Sequence, residues 1–278
     1  MRLARAALHF WEEPPVSGEA GSGTVFFSGC PLRCVYCQNK DIARGEIGRE
    51  ISIERLARIF LEQQERGALN INLVTPTHFA PQIKAALDLA RSYEFSSTPL
   101  ALPVVYNTSG YETVEAITNL AGYVDVFLTD FKYASPELAR RYSAAPDYPE
   151  VASKALDAMF ELVGPLAYDE TERGEERLAC GVIVRHLLLP GCLDDSKHVM
   201  ELLAAKPYID DIIVSIMNQF TPASNIARDY PELARGVSDG EYDELIDHAL
   251  ELCIVNSFMQ EGGAASESFI PAFDYEGV

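Results

Sequence analysis

The sequence predicts an α/β fold, and two observations support this prediction. Short runs of β-branched and aromatic residues alternate about six times with segments whose apolar residues recur at helical spacing. Polar residues follow the predicted strands instead of preceding them. Since strand–helix–strand crossovers join parallel strands, we expect a parallel sheet, either curled into a barrel or open and doubly wound.

The first half of the chain supplies four of the strands. Residues 1–23 contain several prolines and glycines and are predicted to form a loop. The strands that follow are predicted at residues 24–28, 70–74, 102–106 and 124–128. Between them, one helix begins at Ser52 and ends near Gly67, a second begins near Pro81, and a third contains Val114.

The second half of the chain continues this alternation. Its strands are predicted at residues 181–189, 212–217 and, more briefly, within 254–259. One or two helices are predicted between Pro136 and Leu162, ahead of the first of these strands. Asp194 is predicted to cap the next helix, and Ser238 with Glu241 forms the capping-box pattern of the last.

The predicted organisation is a single domain over residues 1–278, because no internal repeat or linker divides the chain. Residues 1–23 are its N-terminal loop, 24–259 its barrel core and 260–278 an irregular tail. The acidic segment 169–177 is predicted to be a solvated loop or hairpin tip.

Three cysteines follow the first predicted strand at Cys-x3-Cys-x2-Cys spacing. Cys30, Cys34 and Cys37 place three soft sulfur ligands in one short loop, which suits an iron–sulfur cluster or a zinc ion. No fourth cysteine lies nearby, so a metal centre bound there would keep one position open to a small molecule. The other three cysteines are widely spaced, which argues against a secreted disulfide framework.

The composition limits the partners that we expect. Lysine and arginine number 22 against 42 aspartates and glutamates, which gives a net charge of −20. Such a field repels phosphate backbones and no basic patch is evident, so we expect no nucleic-acid partner. The sequence has no run of about 18 apolar residues and no signal peptide, so we expect a cytoplasmic protein without membrane contact.

Polar residues cluster where the predicted strands end, and ligands bind at the carboxyl ends of strands in parallel α/β folds. We therefore expect them to meet the cysteines on one face. These residues are Thr75, Thr77 and His78 after the second strand, Asn107 and Ser109 after the third, Asp130 and Lys132 after the fourth, and Asn218 after the sixth.

The cysteine motif, with Tyr36 directly before its third cysteine, resembles the signature of the radical SAM superfamily. The resemblance implies a partial (β/α)6 TIM-like barrel and a four-iron four-sulfur cluster held by Cys30, Cys34 and Cys37. The fourth iron would bind the amino and carboxylate groups of S-adenosylmethionine. The implied activity is reductive cleavage of S-adenosylmethionine to a 5′-deoxyadenosyl radical that abstracts hydrogen from a substrate. A low-potential electron donor of the flavodoxin or ferredoxin class is implied as a partner.

Several segments are similar, more narrowly, to the pyruvate formate-lyase activating enzymes and the PflX-like proteins. These segments are residues 26–39, 125–132 and 184–191, with residues 260–263 and 267–271 for the PflX-like group, whose likeness covers nearly the whole chain. The similarity implies that Tyr36 lies near the adenine and that Asn107 and Ser109 contact the ribose or methionine part. Asp130 and Lys132 match a D-x-K arrangement, and Arg185 would face the ligand or the substrate.

One segment departs from the activating enzymes. Those proteins carry a Gly-Gly-Glu-Pro motif that grips the methionine amino group, whereas this chain has Thr75-Pro76-Thr77-His78. The hydroxyls of Thr75 and Thr77 can hydrogen-bond to the cofactor, but no carboxylate is there to balance the ammonium.

The substrate therefore stays open between a glycine in a partner protein, another protein residue and a small metabolite. A non-catalytic iron–sulfur electron-transfer protein is the alternative of a different class, and the absence of a fourth nearby cysteine argues against it. A zinc-binding interaction module would leave the strand-end polar residues without a role.

Overall fold

The computed structural model describes residues 1–171, 174–222, 226, 228–259 and 271–278. These residues form ten strands and nine α-helices. The strands are β1 (Arg2–His9), β2 (Ser22–Phe27), β3 (Arg49–Glu50), β4 (Ile71–Val74), β5 (Val104–Thr108), β6 (Val126–Asp130), β7 (Ala167–Glu170), β8 (Glu176–Leu187), β9 (Ile213–Met217) and β10 (Ser257–Met259). The helices are α1 (Pro14–Ser17), α2 (Lys40–Ala43), α3 (Ile53–Glu65), α4 (Ala80–Ala90), α5 (Val114–Thr118), α6 (Pro136–Ser143), α7 (Tyr148–Val163), α8 (Leu193–Ala204) and α9 (Asp239–Glu251).

Nine of the described strands form one sheet in the order β10-β9-β8-β6-β5-β4-β2-β1-β3, with β7 paired to β8 as a hairpin. The strands from β2 to β10 along this order pair in parallel. The antiparallel strands β1 and β3 form the other edge. The two edges of the order stay apart among the described residues, so the fold is an unclosed, partial barrel, as predicted.

The strands alternate between two apolar layers, as the period of two in a strand requires. Val104 and Tyr106 of β5 pack with the long helices, whereas Val105 packs with Val126 and Ile183 in a second cluster. Since the helices of a (β/α) barrel lie on its outside, the second cluster lies on the inner, concave face of the sheet. Its members are Val16, Val105, Val126, Leu128, Leu178, Ile183 and Ile213, so α1 closes this face through Val16.

The prediction of a loop over residues 1–23 is wrong. Residues 2–9 form β1, which pairs with β2 on one side and β3 on the other, and residues 14–17 form α1. The alanine, leucine and arginine content of β1 has no strand preference of its own. Pairing with two neighbours and burial of Leu3, Ala4 and Ala6 override that local composition.

The helix caps test three of the predicted helix starts. Ser52 Oγ accepts from the Arg55 N–H at 3.1 Å, and Ser238 forms the predicted capping box with Glu241. The prediction that Asp194 caps α8 is wrong, because Cys192 occupies the N-cap position. Asp194 lies in the first turn, where the helix dipole favours its negative charge.

The C-terminal residues 271–278 lie along β1. The Ala6 N–H donates to the Glu276 carbonyl at 2.8 Å, and the Tyr275 N–H donates to the Ala4 carbonyl at 3.2 Å. Arg5 forms ion pairs with Asp274 and Glu276. The predicted tail residues 260–270 lie outside the described residues. None of the helices in the described part of the chain combines the length and apolar character needed to cross a bilayer.

Candidate functional site

The three cysteines lie in the loop that follows β2. Gly29 begins this loop with a φ of +109°, and a Cβ at this position would lie 2.8 Å from Nε2 of His78. Glycine therefore permits the close approach and the turn at once. His78 Nε2 also donates to the Ser28 carbonyl at 2.9 Å. His78 thus braces the cysteine loop from outside the cavity that the cysteines line.

The end of α6 holds the centre of the cysteine loop. The N–H groups of Arg33 and Val35 donate to the carbonyls of Ser143 and Tyr142, at 3.2 and 2.8 Å. These carbonyls belong to the last turn of a helix, where carbonyls lack helical partners. Cys34 lies between the two donors and is therefore fixed against the end of α6.

The thiols of Cys30, Cys34 and Cys37 are free and line one cavity. Burial raises the pKa of Cys30, and burial followed by the nearby Cys34 raises the pKa of Cys37 to about 11. Lys132 lies close enough to oppose both shifts. The thiols of Cys30 and Cys37 are therefore protonated at neutral pH, and metal binding would release their protons.

The donor set fits an iron–sulfur cluster better than a zinc ion. Across the part of the chain that the structure describes, no three His, Cys, Asp or Glu side chains are arranged to hold a single metal ion. In a four-iron cluster each thiolate binds a different iron, so the three sulfurs need not converge on one point. Three thiols spread around one cavity match that requirement, whereas a structural zinc site needs four converging ligands.

Strand-end residues and cysteines meet in a cavity of about 240 Å³, as the sequence predicted. Ten of the thirteen residues that were expected there line it, and Thr77, His78 and Asn218 do not. The ten are Cys30, Cys34, Tyr36, Cys37, Thr75, Asn107, Ser109, Asp130, Lys132 and Arg185. Thr77 does not line this cavity, because its hydroxyl donates to the Glu112 carboxylate beside a separate cavity near α4 and α5.

Thr75 has a strained backbone at the edge of the cavity. Its φ is +56°, a value that β-branched residues rarely adopt. Its N–H donates to the Asn107 carbonyl at 2.9 Å, which continues the pairing of β4 with β5 beyond the last residue of β4. The turn at Thr75 directs the chain away from the cavity, so Thr77 faces Glu112 instead.

Arg185 is the centre of a buried ionic network on the concave face of the sheet. Its Nη2 donates to Asn107 Oδ1 at 2.6 Å and its Nε to Asp130 Oδ1 at 3.1 Å. Asp130 also accepts from Lys132 Nζ at 2.6 Å. Burial alone would raise the pKa of Asp130, but Lys132 and Arg185 hold it below its usual value. Asp130 is therefore a carboxylate, and two cations surround it.

Glu12 completes this network and was missed in the sequence. Its Oε2 accepts from Arg185 Nη1 at 3.3 Å, and its Oε1 accepts from the Asn72 and Asn107 amides at 3.0 and 3.3 Å. Burial raises the pKa of Glu12, and Arg185 opposes the shift. Burial likewise raises the pKa of its neighbour Glu13. The turn before α1 carries both acids under the strand-end residues, and no motif or periodicity signals this placement.

Tyr36 lines the cavity and also reaches behind it. Its hydroxyl lies 2.6 Å from the hydroxyl of Tyr133, and its ring contacts Phe220 edge-on with centroids 6.3 Å apart. Its proposed position beside an adenine stays a prediction. The cavity has further lining residues that the sequence did not single out, among them Gln38, Asn39, Leu187, Met217 and Gln219.

Comparison with known proteins identifies the family. Residues 24–169, more than half of the chain, match the model of the Radical SAM superfamily. The chain belongs to this superfamily, whose members use a four-iron four-sulfur cluster and S-adenosylmethionine. These are the cofactors that the sequence predicted, and the three thiols in one cavity fit them.

Individual relatives are distant. The chain is 30% identical over 256 residues to Uncharacterized protein MJ0674 of Methanocaldococcus jannaschii, and the match covers 88% of this chain and 64% of that protein. Streptococcus suis SuiB is similar in fold in two crystal structures. With precursor peptide SuiA bound, the TM-score is 0.52 at 11% identity, over 86% of this chain and 49% of SuiB. With S-adenosylmethionine bound, it is 0.53 at 10% identity, over 87% and 52%.

A domain of pyruvate-formate lyase-activating enzyme from Bacteroides vulgatus superimposes more loosely. The TM-score is 0.43 at 13% identity, over 65% of this chain and 92% of that domain. The chain thus spans about half to two thirds of the length of MJ0674 and SuiB. The family model establishes the superfamily, the likeness to SuiB supports the fold, and the substrate is left to be inferred from the site.

Proposed function

We propose that this protein is a radical SAM enzyme whose cluster is ligated by Cys30, Cys34 and Cys37. When bound and reduced, the cluster supplies one electron that cleaves S-adenosylmethionine to a 5′-deoxyadenosyl radical, which abstracts hydrogen from a substrate. The observation that carries this proposal is the meeting of three free thiols with a charged strand-end network in one cavity. An electron-transfer protein would need a fourth ligand, and the other cysteines do not line this cavity.

The charged residues would hold the methionine part of S-adenosylmethionine. Lys132 and Arg185 are cations that suit its carboxylate, and Asp130 suits its ammonium. Asp130 would therefore compensate for the absence of a carboxylate in residues 75–78, because it supplies a negative charge from the end of β6, two strands away in the sheet. Asn107 and Ser109 offer amide and carbonyl or hydroxyl groups for the ribose, and Tyr36 offers a ring face for the adenine.

The substrate that we favour is a glycine residue in a partner protein. This choice follows the similarity of residues 26–39, 125–132 and 184–191 to the activating enzymes. SuiB, which shares the fold, is recorded with a bound peptide. A small metabolite or a different protein residue is the second candidate, and the departure at residues 75–78 favours it.

The electron donor that we favour is an acidic one-electron carrier of the flavodoxin or ferredoxin class. A second, smaller cavity of about 100 Å³ is lined by the three cysteines together with Arg33, Lys40 and Arg44. These three cations are exposed, and no aspartate or glutamate lines this cavity. In a chain of net charge −20, this cluster of positive charge would steer an acidic carrier to the cysteine loop.

Anaerobic reconstitution with iron and sulfide tests the cofactor assignment. The reduced protein should give a cluster EPR signal that S-adenosylmethionine perturbs, and turnover should release 5′-deoxyadenosine. Cys34→Ala should lose the cluster without unfolding, because it removes one ligand at a half-buried position. Cys253→Ala changes an exposed cysteine that does not line the cavity and should bind the cluster normally.

The enzyme proposal fails if S-adenosylmethionine changes no signal and no 5′-deoxyadenosine forms. A fully assembled cluster in Cys34→Ala would contradict the ligand assignment. The substrate is tested by incubating the loaded enzyme with a candidate glycyl-radical partner. A glycine-centred EPR doublet on the partner supports the protein target, and 5′-deoxyadenosine formation without that doublet favours the second candidate.

A further inference from the structure

A chain of three hydroxyl groups connects Tyr36 to the sulfur of Cys34. Ser143 Oγ lies 3.0 Å from Cys34 Sγ. The Tyr133 hydroxyl lies 2.8 Å from Ser143 Oγ, and the Tyr36 hydroxyl lies 2.6 Å from that of Tyr133. Ser143 and Tyr133 are each about 1% exposed, so water cannot replace these contacts. We call Tyr36, Tyr133 and Ser143 together the hydroxyl relay.

The position of Ser143 is fixed by the end of α6. Ser143 is the last residue of the helix, and Ala144 follows in the left-handed conformation with a φ of +56°. The Ala145 N–H then donates to the Ala139 carbonyl at 3.2 Å, which ties the turn back onto the helix. A helical serine commonly bonds to a carbonyl of its own preceding turn. Here the side chain instead approaches a thiol of the cysteine loop.

Ligation of the cluster would set the direction of every bond in the hydroxyl relay. A thiolate bound to iron carries no proton, so Cys34 would only accept and Ser143 would donate its one proton to the sulfur. Ser143 Oγ then accepts from Tyr133, and Tyr133 accepts from Tyr36. A phenol keeps its proton at neutral pH, so both tyrosines remain donors. Hydrogen bonds aligned in one direction strengthen each other in a low-dielectric interior.

We propose that Ser143, supported by Tyr133 and Tyr36, raises the reduction potential of the cluster by donating a hydrogen bond to the sulfur of Cys34. This inference rests on the proposed function. Reduction adds negative charge to the cluster and its thiolates, and a donor to a ligating sulfur stabilises the reduced form more than the oxidised form. The relay also joins the cluster to the residue that we place beside the adenine. Binding of S-adenosylmethionine against Tyr36 would therefore alter how strongly Ser143 donates its hydrogen bond to the sulfur of Cys34.

Redox titration followed by EPR tests this inference on the reconstituted full chain. Ser143→Ala removes the donor and should lower the equilibrium constant for reduction about tenfold, which is about 59 mV for a one-electron couple. Tyr133→Phe keeps Ser143 but weakens its polarisation, so its potential should shift in the same direction by a smaller amount. Ser196→Ala is the matched control, because Ser196 is equally buried in α8 and does not line the cavity. Its potential should equal that of the wild type.

Iron content and the reduction potential of each variant separate this inference from the proposed function. A wild-type protein that assembles no cluster overturns the proposed function itself. A Ser143→Ala protein with full iron content and an unchanged potential overturns only the role of the hydroxyl relay. Should Ser143→Ala fail to assemble the cluster, Tyr133→Phe decides: an unchanged potential in that variant refutes the relay, and a lowered potential supports it.

Discussion

Replacing Glu12 by glutamine tests whether Glu12 positions Arg185 and Asn107, which line the cavity. Glu12 does not line the cavity, but its carboxylate joins Arg185, Asn72 and Asn107. A glutamine oxygen can still accept from the two asparagine amides. Its NH₂ group then faces the guanidinium of Arg185, so an attractive contact becomes a repulsive one.

The expected magnitude follows from these contacts. A hydrogen bond to a charged group is worth about 1.5–3 kcal/mol. Arg185 keeps Asp130 and the Asn107 side chain as partners, so we expect the lower end of that range. If nearly all of this loss reaches the ligand through a displaced Arg185, the dissociation constant for S-adenosylmethionine should rise about tenfold, since tenfold corresponds to about 1.4 kcal/mol.

Anaerobic calorimetric titration of the reconstituted Glu12→Gln protein with S-adenosylmethionine measures this effect. Iron content must match the wild type, so that lost affinity is not lost cluster. Glu19→Gln is the control, because Glu19 is exposed and lies outside the ionic network. Wild-type affinity in Glu12→Gln, with matching iron content, would refute the positioning role of Glu12.

Three further predictions concern other parts of the site. Thr75→Gly removes the cost of a β-branched residue at positive φ, about 1–3 kcal/mol, but adds the entropy cost of glycine. Urea unfolding should therefore show a free energy of unfolding about 1 kcal/mol higher than that of the wild type. An unchanged midpoint would mean that the turn is not strained. Burial raises the pKa of Glu112 in the folded state. The free energy of unfolding of the wild type, compared with that of Glu112→Gln, should therefore fall as pH rises above about 4.3, the pKa of an unfolded glutamate. The slope should be at most about 1.4 kcal/mol per pH unit. Parallel urea curves from pH 4.5 to 7.5 check this, and a constant difference would contradict it. Replacing Arg33, Lys40 and Arg44 by glutamate should slow reduction of the cluster by a flavodoxin about tenfold at low salt and flatten the salt dependence of that rate. Reduction by dithionite should slow far less. Equal slowing by both reductants would contradict a role of these three cations in docking the carrier.

The sequence predicted the parts of the site that depend on local spacing and on strand period. The cysteine motif is contiguous, and Asn107 and Asp130 lie at strand ends that a parallel sheet must bring together, whereas Arg185 was expected from the similarity to the activating enzymes. Thr77 shows the limit of this reasoning. It lies two residues past Thr75, whose positive φ turns the chain, and no sequence pattern distinguishes a threonine in that conformation from one in an extended strand.

Glu12 shows a second limit. Its contact with Arg185 joins residues 173 positions apart, and α1 is a single turn, too short to have a hydrophobic period. Two prolines at the start of α1 suggested a loop, although proline is also common in the first turn of a helix. The burial of Val16 against the concave face of the sheet and the hydrogen bond from Asn70 Nδ2 to the Val16 carbonyl at 2.7 Å fix the position of α1, and with it that of the two acids.

The placement of α1 changes the charge that the cavity can accept. Glu12, Glu13 and Asp130 oppose Arg185 and Lys132, so the network carries one excess negative charge when all five groups are ionised. Burial raises the pKa of Glu12 and of Glu13, so the excess negative charge is unfavourable there without a further cation. S-adenosylmethionine carries a sulfonium, an ammonium and a carboxylate, a net charge of +1. Its binding would therefore balance the excess charge, so a carboxylate within residues 75–78 is not required for electrical balance.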